Sequence, residues 1–156
     1  MKKIGYFLII VVCSISFYNC SEDDPVATTT VLTTALTTIT YTSGSVAGVG
    51  SLPPGVNGSI QNTRVALYAS VDDWLYDRAF KFGACDGSGN YNLPNVTPGV
   101  FYMDAWKDND NNQVWGSSGD YVWVNGSGVY PNYTLAPLQV TLGPPTSVNF
   151  QVFVVP

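Results

Sequence analysis

Turn-forming residues interrupt this chain at short intervals, and that spacing constrains its fold more than any other feature. Clusters rich in glycine, proline, asparagine and aspartate occupy residues 53–58, 86–90, 97–99, 125–128 and 143–145. The segments between them are short, many alternate between apolar and polar residues, and none shows a helical period. The sequence therefore predicts an all-β fold, a single β-sandwich of about seven or eight strands.

The clearest strand follows one of these turns and covers residues 100–107. Its residues 101, 103 and 105 are apolar and alternate with Tyr102, Asp104 and Trp106, so the two sets face opposite sides of a sheet. Asp72 and Asp73 are predicted to lie at the exposed end of an earlier strand. The residues predicted to face the space between the two sheets are apolar members of such segments: Val65, Leu67, Tyr91, Leu93, Phe101, Met103, Val148, Phe150 and Val152.

Residues 1–20 have the pattern of an export signal. Lys2 and Lys3 precede an apolar stretch at 4–16, which is short for a membrane span, and the segment ends at Cys20. A signal that ends at a cysteine resembles that of bacterial lipoproteins, in which Cys20 would carry the lipid and anchor the chain. The acidic run at 22–24 resembles the export signal of surface-exposed lipoproteins, which implies a bacterial outer membrane or cell surface. The alternative is an ordinary cleaved signal peptide with an incidental cysteine.

Residues 21–42 are predicted to form a tether between this anchor and a folded domain at residues 43–156. Nine of the fifteen residues at 28–42 are threonine, and β-branched residues favour an extended chain over a helix. Fully extended, the tether would reach about 70 Å at roughly 3.3 Å per residue. The alternative is that part of this segment pairs with the domain as an edge strand.

Three segments of the predicted domain follow one another in a characteristic order. They are VALYA at 65–69, CDGSGNYNLPNVTPGVFYMDAW at 85–106 and VTLGPPTSVNFQV at 140–152. The middle segment has an Asp-x-x-Gly turn that begins at Asp86, followed by an aromatic strand that begins at Tyr91. This order resembles carboxypeptidase regulatory-like domains, whose fold is a prealbumin-like, immunoglobulin-like β-sandwich. The resemblance implies a non-catalytic accessory or adhesive module of an exported protein.

Composition and charge disfavour several classes of function. The chain has no histidine, which removes Ser-His-Asp and Cys-His catalysis and the usual zinc ligands. Six basic residues against eleven acidic ones give a net charge of −5, which disfavours nucleic acid and is compatible with a bound cation. Cys85 has no cysteine partner inside the predicted domain, so it is predicted to be a buried filler. An enzyme is the least favoured class.

The loop after residue 107 carries the clearest chemical signal. Oxygen-bearing residues at alternate positions and one closing aspartate form the predicted metal ligands: Asp108, Asp110, Asn112, Val114 through its carbonyl, and Asp120. An irregular all-oxygen shell favours calcium over magnesium. The loop differs from an EF-hand, because Gln113 stands where that loop has glycine and no helices flank it. The alternative is a solvated turn that binds no metal.

Tryptophans form the second candidate site. Trp106 and Trp123 lie in predicted strands, where packing is the simpler explanation, and Trp115 is expected to pack behind the aspartate-rich loop. Trp74 lies in a predicted loop and is the candidate ligand contact. The favoured function is a non-catalytic, lipid-anchored surface module, adhesive, binding or structural, with a calcium-stabilised loop. The alternative is a carbohydrate-binding accessory module, so the expected partners are a membrane, a glycan or a surface protein.

Overall fold

The structure is a computed structural model that describes residues 41–156. The predicted signal segment with Cys20, and residues 21–40 of the predicted tether, lie outside the described residues. The described part has twelve strands, β1 (Gly44–Ser51), β2 (Arg64–Tyr68), β3 (Lys81–Ala84), β4 (Asn90–Val96), β5 (Gly99–Lys107), β6 (Tyr121–Val124), β7 (Gly126–Val129), β8 (Asn132–Leu135), β9 (Leu138–Val140), β10 (Thr146–Ser147), β11 (Phe150–Gln151) and β12 (Phe153–Val154), and one helix, α1 (Val71–Leu75). Within residues 41–156 there is no helix with the length and apolar character needed to span a membrane.

Two sheets pack against each other in an all-β sandwich, as the spacing of the turns predicts. In the smaller sheet β1 is central, with antiparallel β4 on one side and parallel β10 and β11 on the other. The larger sheet has the order β12-β6-β5-β2-β3, and β9 pairs with the first residues of β5. The number of strands exceeds seven or eight because β7, β8 and β10 were not predicted and the segment predicted as one strand at 148–154 forms two, β11 and β12.

The core lies between these sheets, and its predicted residues are confirmed. Eight of the nine belong to one buried cluster, and Val148 is partly buried against that cluster. Cys85 is part of the same cluster, and its burial, followed by the charge of Asp86, raises the pKa of its thiol to about 11. Cys85 is therefore an inert filler, as predicted.

Two segments differ from the predicted arrangement. Residues 125–128 are predicted to be a turn, yet most of them belong to β7, which pairs with β8 in a two-stranded ribbon. Gly126 fits there because a Cβ atom would collide with the carbonyl of Thr134 on the facing strand. Residues 148–154 are predicted to be one strand, but β11 pairs with β1 while β12 pairs with β6, so the chain changes sheets between them.

Candidate binding cleft and aspartate loop

One face of the larger sheet points away from the core and carries the candidate site. β2 and β5 pair so that Ala66 lies opposite Asp104 and Tyr68 lies opposite Tyr102. Side chains that alternate with the core-facing residues of these strands, including Tyr68, Asp104 and Trp106, therefore share one side of the sheet. We refer to this side as the outer face.

Helix α1 lies against the outer face, and Ser70 caps its N-terminus. Ser70 Oγ accepts a hydrogen bond from the backbone N–H of Asp73 (3.0 Å) and donates one to Asp73 Oδ2 (2.7 Å). Ser70 is therefore the N-cap of α1, and acidic residues in the first turn favour a helix. The predictions that Asp72 and Asp73 end a strand and that Trp74 lies in a loop are therefore wrong. The capping signal was present in the sequence.

Asp104 lies beneath Trp74 and is only 2 % exposed. Trp74 Nε1 donates to Asp104 Oδ2 (3.0 Å), and the Tyr68 hydroxyl oxygen lies 3.3 Å from Oδ1. Burial raises the pKa of Asp104 to about 7, although the Trp74 donor, the charge of Arg64 and the Tyr68 hydroxyl oppose this rise. The carboxyl group therefore changes its protonation near neutral pH.

Tyr68 connects Asp104 to a second, more accessible carboxylate. Its hydroxyl lies 2.9 Å from Asp77 Oδ1, which also accepts a hydrogen bond from Arg64 at 2.9 Å. Burial, and then the charge of Asp104, raise the pKa of Tyr68 far above its ordinary value of 10.0. The phenol consequently remains a hydrogen-bond donor at physiological pH, and the side chain of Asp77 is 61 % exposed.

These side chains surround a cleft of about 320 Å³, which we call the tryptophan cleft. Aromatic rings and a few polar groups line it: Tyr68, Trp74, Leu75, Asp77, Asp104, Trp106, Gln113 and Trp115. Trp115 meets Trp74 edge to face, with ring centroids 5.8 Å apart and ring planes at 86°. Contact between Trp74 and a ligand stays a prediction, and the structure adds Trp106 and Trp115 to the same surface.

The two strand tryptophans differ in their surroundings. Trp123 faces the core and stacks on Phe150 with ring centroids 4.9 Å apart, so its packing role is confirmed. Trp106 is only half buried and lines the cleft instead. The sequence contained a usable signal for this difference, because Trp106 follows Asp104 on the face of its strand that points away from the core.

The aspartate loop, residues 108–120, leaves the end of β5 beside the cleft. One carboxylate oxygen from each of Asp108, Asp110 and Asp120 lies within 4.8 Å of the other two. Three of the predicted ligands are thus brought together. The side-chain oxygen of Asn112 accepts a hydrogen bond from the backbone N–H of Val114 (2.7 Å), so both residues help to hold the loop in its present shape.

Backbone donors fold this loop around its first aspartate. Asp108 accepts hydrogen bonds from the N–H groups of Asn112 (3.1 Å) and Gln113 (2.7 Å). Desolvation raises the pKa of Asp108, but hydrogen bonds, led by the one from Gln113, outweigh it and hold the pKa below its ordinary value of 3.8. Gln113 has a φ angle of 61°, the left-handed conformation for which glycine is the usual residue.

Asp120 connects the aspartate loop to the tryptophan cleft. It is completely buried, and its carboxylate accepts hydrogen bonds from Trp106 Nε1 (2.9 Å) and from the backbone N–H groups of Asn109 (3.1 Å) and Ser117 (3.2 Å). Three donors satisfy the buried carboxylate. Because Trp106 also lines the cleft, the position of the loop and the wall of the cleft depend on the same hydrogen bond.

No protein family, curated protein or solved structure matches the chain. The resemblance to carboxypeptidase regulatory-like domains therefore stays a prediction. The described residues form an all-β sandwich with an aromatic cleft beside three clustered carboxylates.

Proposed function

We propose that the chain is a non-catalytic binding protein of a bacterial outer membrane or cell surface, anchored by a lipid on Cys20. The observation that supports binding is the tryptophan cleft, in which four aromatic side chains converge on a few polar groups. A concave site of about 320 Å³ with mainly apolar walls has the size and composition of a small-molecule site.

The polar groups of the cleft are arranged for binding rather than for catalysis. Asp104 is buried and accepts a hydrogen bond from Trp74, while Asp77 pairs with Arg64 and lies 2.9 Å from the Tyr68 hydroxyl. A glycosidase-type pair of carboxyl groups would need to flank the bond that is cleaved. The chain also has no histidine to act as a general base. These features support a binding protein over an enzyme.

The lipid anchor is tested by the substitution Cys20→Ser. The hydroxyl group cannot take the thioether-linked lipid, so we expect the protein to move from the membrane fraction to the soluble fraction. Cys85→Ala is the matched control, because Cys85 is buried in the core and its loss should leave the fractionation unchanged. An unmodified N-terminus in the intact mass of protein extracted from membranes would refute the anchor.

The aspartate loop is the proposed site of a structural calcium ion. Asp108, Asp110 and Asp120 supply carboxylates within reach of one ion. The further predicted ligands are the carbonyl of Val114 and the amide oxygen of Asn112, which accepts from the Val114 N–H in this structure. Clustered carboxylates repel one another, and a cation offsets this repulsion. The ion would rigidify the loop and would take no part in a reaction.

A carbohydrate-binding accessory module is the second candidate function. Exposed tryptophan rings can stack on sugars, and Trp74, Trp106 and Trp115 meet in one cleft. Gln113 and Asp77 would supply hydrogen bonds to hydroxyl groups. A glycan is therefore the alternative ligand of the cleft, and its affinity is the reference for other ligands.

A further inference from the structure

The tryptophan cleft has the chemistry of a site for a small organic cation. We propose that it binds an alkylated ammonium group, which lies against the rings of Trp74, Trp106 and Trp115 and beside the carboxylate of Asp77. This inference names the ligand class of the proposed binding protein and rests on that proposed function.

The three rings offer carbon atoms rather than polar groups to a ligand. The indole N–H groups of Trp74 and Trp106 donate to Asp104 (3.0 Å) and Asp120 (2.9 Å), and Trp115 Nε1 is buried. Recognition in the cleft therefore depends on the ring faces. The face of an aromatic ring carries the negative part of its quadrupole and attracts a cation within about 6 Å of the centroid.

The relative orientation of the rings favours a compact group over a flat one. Trp74 and Trp115 have planes at 86° with centroids 5.8 Å apart, so they form a corner. A nearly spherical alkylammonium group can contact both sides of such a corner, as in aromatic cages. A sugar ring stacks through a broad face of C–H groups on one aromatic ring face parallel to it, which a corner provides less well.

The charged groups that line the cleft have one sign. The exposed carboxylate of the cleft belongs to Asp77, whereas Asp104 is buried beneath Trp74, and none of the described residues that line the cleft is basic. The hydrogen bonds from Arg64 and Tyr68 both reach Oδ1 of Asp77, which leaves Oδ2 for a ligand. Arg64 offsets part of this charge from outside the lining. The net charge of −5 on the whole chain also favours a cation over an anion.

A metal ion fits this cleft less well than an organic cation does. Calcium and magnesium require about six or more oxygen ligands, whereas the lining of the cleft is mainly aromatic carbon. The volume of about 320 Å³ is near the lower end for small-molecule sites. It suits a compact ammonium head group with a short chain.

Choline and its uncharged isostere 3,3-dimethyl-1-butanol test the requirement for charge. The full chain is kept in a polyoxyethylene detergent, which has neither an ammonium nor a sugar group, and each probe is titrated by calorimetry at neutral pH. We expect choline to bind about tenfold more tightly than the isostere, because only the charged probe gains cation–π attraction. Neutral oligosaccharides are titrated in parallel.

Each result separates this inference from the proposed function. Equal affinities for choline and the alcohol would overturn the inference, because shape alone would then explain binding. Binding of an oligosaccharide without choline would also overturn it, but would retain a binding protein of the carbohydrate class. Failure of all probes to bind would overturn the inference and the carbohydrate alternative, while the lipid anchor has its own test in Cys20→Ser.

Variants show whether binding occurs in the cleft. Trp74→Leu and Trp115→Leu each remove a ring and should weaken choline binding by about fivefold or more. Tyr76→Leu is the matched control, because Tyr76 is 71 % exposed and its ring already lies 5.0 Å from the guanidinium of Arg78, outside the cleft. A similar loss in Tyr76→Leu and Trp74→Leu would contradict the assignment.

A further variant separates lost binding from lost folding. Trp74→Phe keeps an aromatic ring but lacks the N–H group that donates to Asp104. We expect this variant to bind choline within about threefold of the unmodified chain, since the ring face is retained. A loss as large as that of Trp74→Leu would contradict the role of the ring, provided that both variants melt cooperatively.

Discussion

The two faces of β5 carry residues that are held by different forces. On the inner face, Phe101, Met103 and Ala105 are buried among apolar side chains from both sheets. On the outer face, Asp104 and Trp106 are covered by α1 and the aspartate loop, and hydrogen bonds to Trp74 and Asp120 fix them. Apolar burial is non-directional and depends on area, whereas hydrogen bonds depend on geometry and protonation. The inner face should therefore respond to lost volume, and the outer face to pH and cations.

The largest expected effect is on the inner face. Phe101 is 5 % exposed and packs with its ring centroid 5.0 Å from that of Phe80. Phe101→Ala should lower the free energy of unfolding by about 3–5 kcal/mol, because it leaves a cavity between the sheets. Tyr102→Ala, one residue along on the half-buried outer face, should cost about 1 kcal/mol. Urea unfolding measures both, and equal losses would contradict the difference between the faces.

Calcium bound to the aspartate loop should stabilise the folded chain, by less than the loss expected for Phe101→Ala. If the ion binds only the folded chain, a concentration a hundredfold above its dissociation constant adds about 2.7 kcal/mol. Thermal melts with calcium and with chelator should therefore differ, and Asp110→Ala should abolish the difference. Asp72→Ala is the control, because Asp72 is an exposed aspartate in α1, away from the cluster. Identical melts with and without calcium would leave the loop as a polar turn.

The smallest expected effect is a dependence of stability on pH. The pKa of Asp104 is raised from 3.8 to about 7 in the folded chain, so the folded state holds more protons than the unfolded state between these values. Its contribution to stability is therefore present at low pH and is lost as the pH rises through 7. From about pH 6 to pH 8 the loss should be about 1.4 kcal/mol, the equivalent of one pKa unit.

Asp104→Asn is the control for this dependence, because it keeps the size of the side chain and removes the titration. Its stability should be nearly constant over the same range, as measured by urea unfolding at each pH. The lowered pKa values of Asp73, Asp86 and Asp108 affect stability only in more acidic solution, below their ordinary 3.8. Stability of the unmodified chain that rises from pH 6 to pH 8 would contradict the burial of Asp104.

The inner face could be predicted because alternation depends only on neighbouring residues. Phe101 and Met103 necessarily share one face once the segment is a strand. The same rule placed Tyr102 and Trp106 together, but it cannot show what covers them. The same rule could not predict strand β7. Its glycines permit a close approach of two backbones but have no side chains that could show an alternating pattern.

Sequence predicted only the part of the candidate site whose residues are close together in the chain. Asp108 and Asp110 lie two residues apart, so their proximity follows from local spacing. The tryptophan cleft instead joins Trp74 to Asp104, thirty residues later, through a hydrogen bond that no local pattern specifies. Only tertiary structure brings these two side chains together. The Ser70 cap, in contrast, was a local signal that could have identified α1.

The position of β1 has a consequence for the order in which the domain can fold. Gly50 lies opposite Phe150, and the Val49 N–H donates to Asn149 across a separation of 100 residues. Contacts so distant in sequence form late, because a long loop must first be closed. Until β10 and β11 have been synthesised, one edge of β1 has no partner and the smaller sheet is incomplete. In a chain exported N-terminus first, this order delays folding of the domain until β10 and β11 have crossed the membrane.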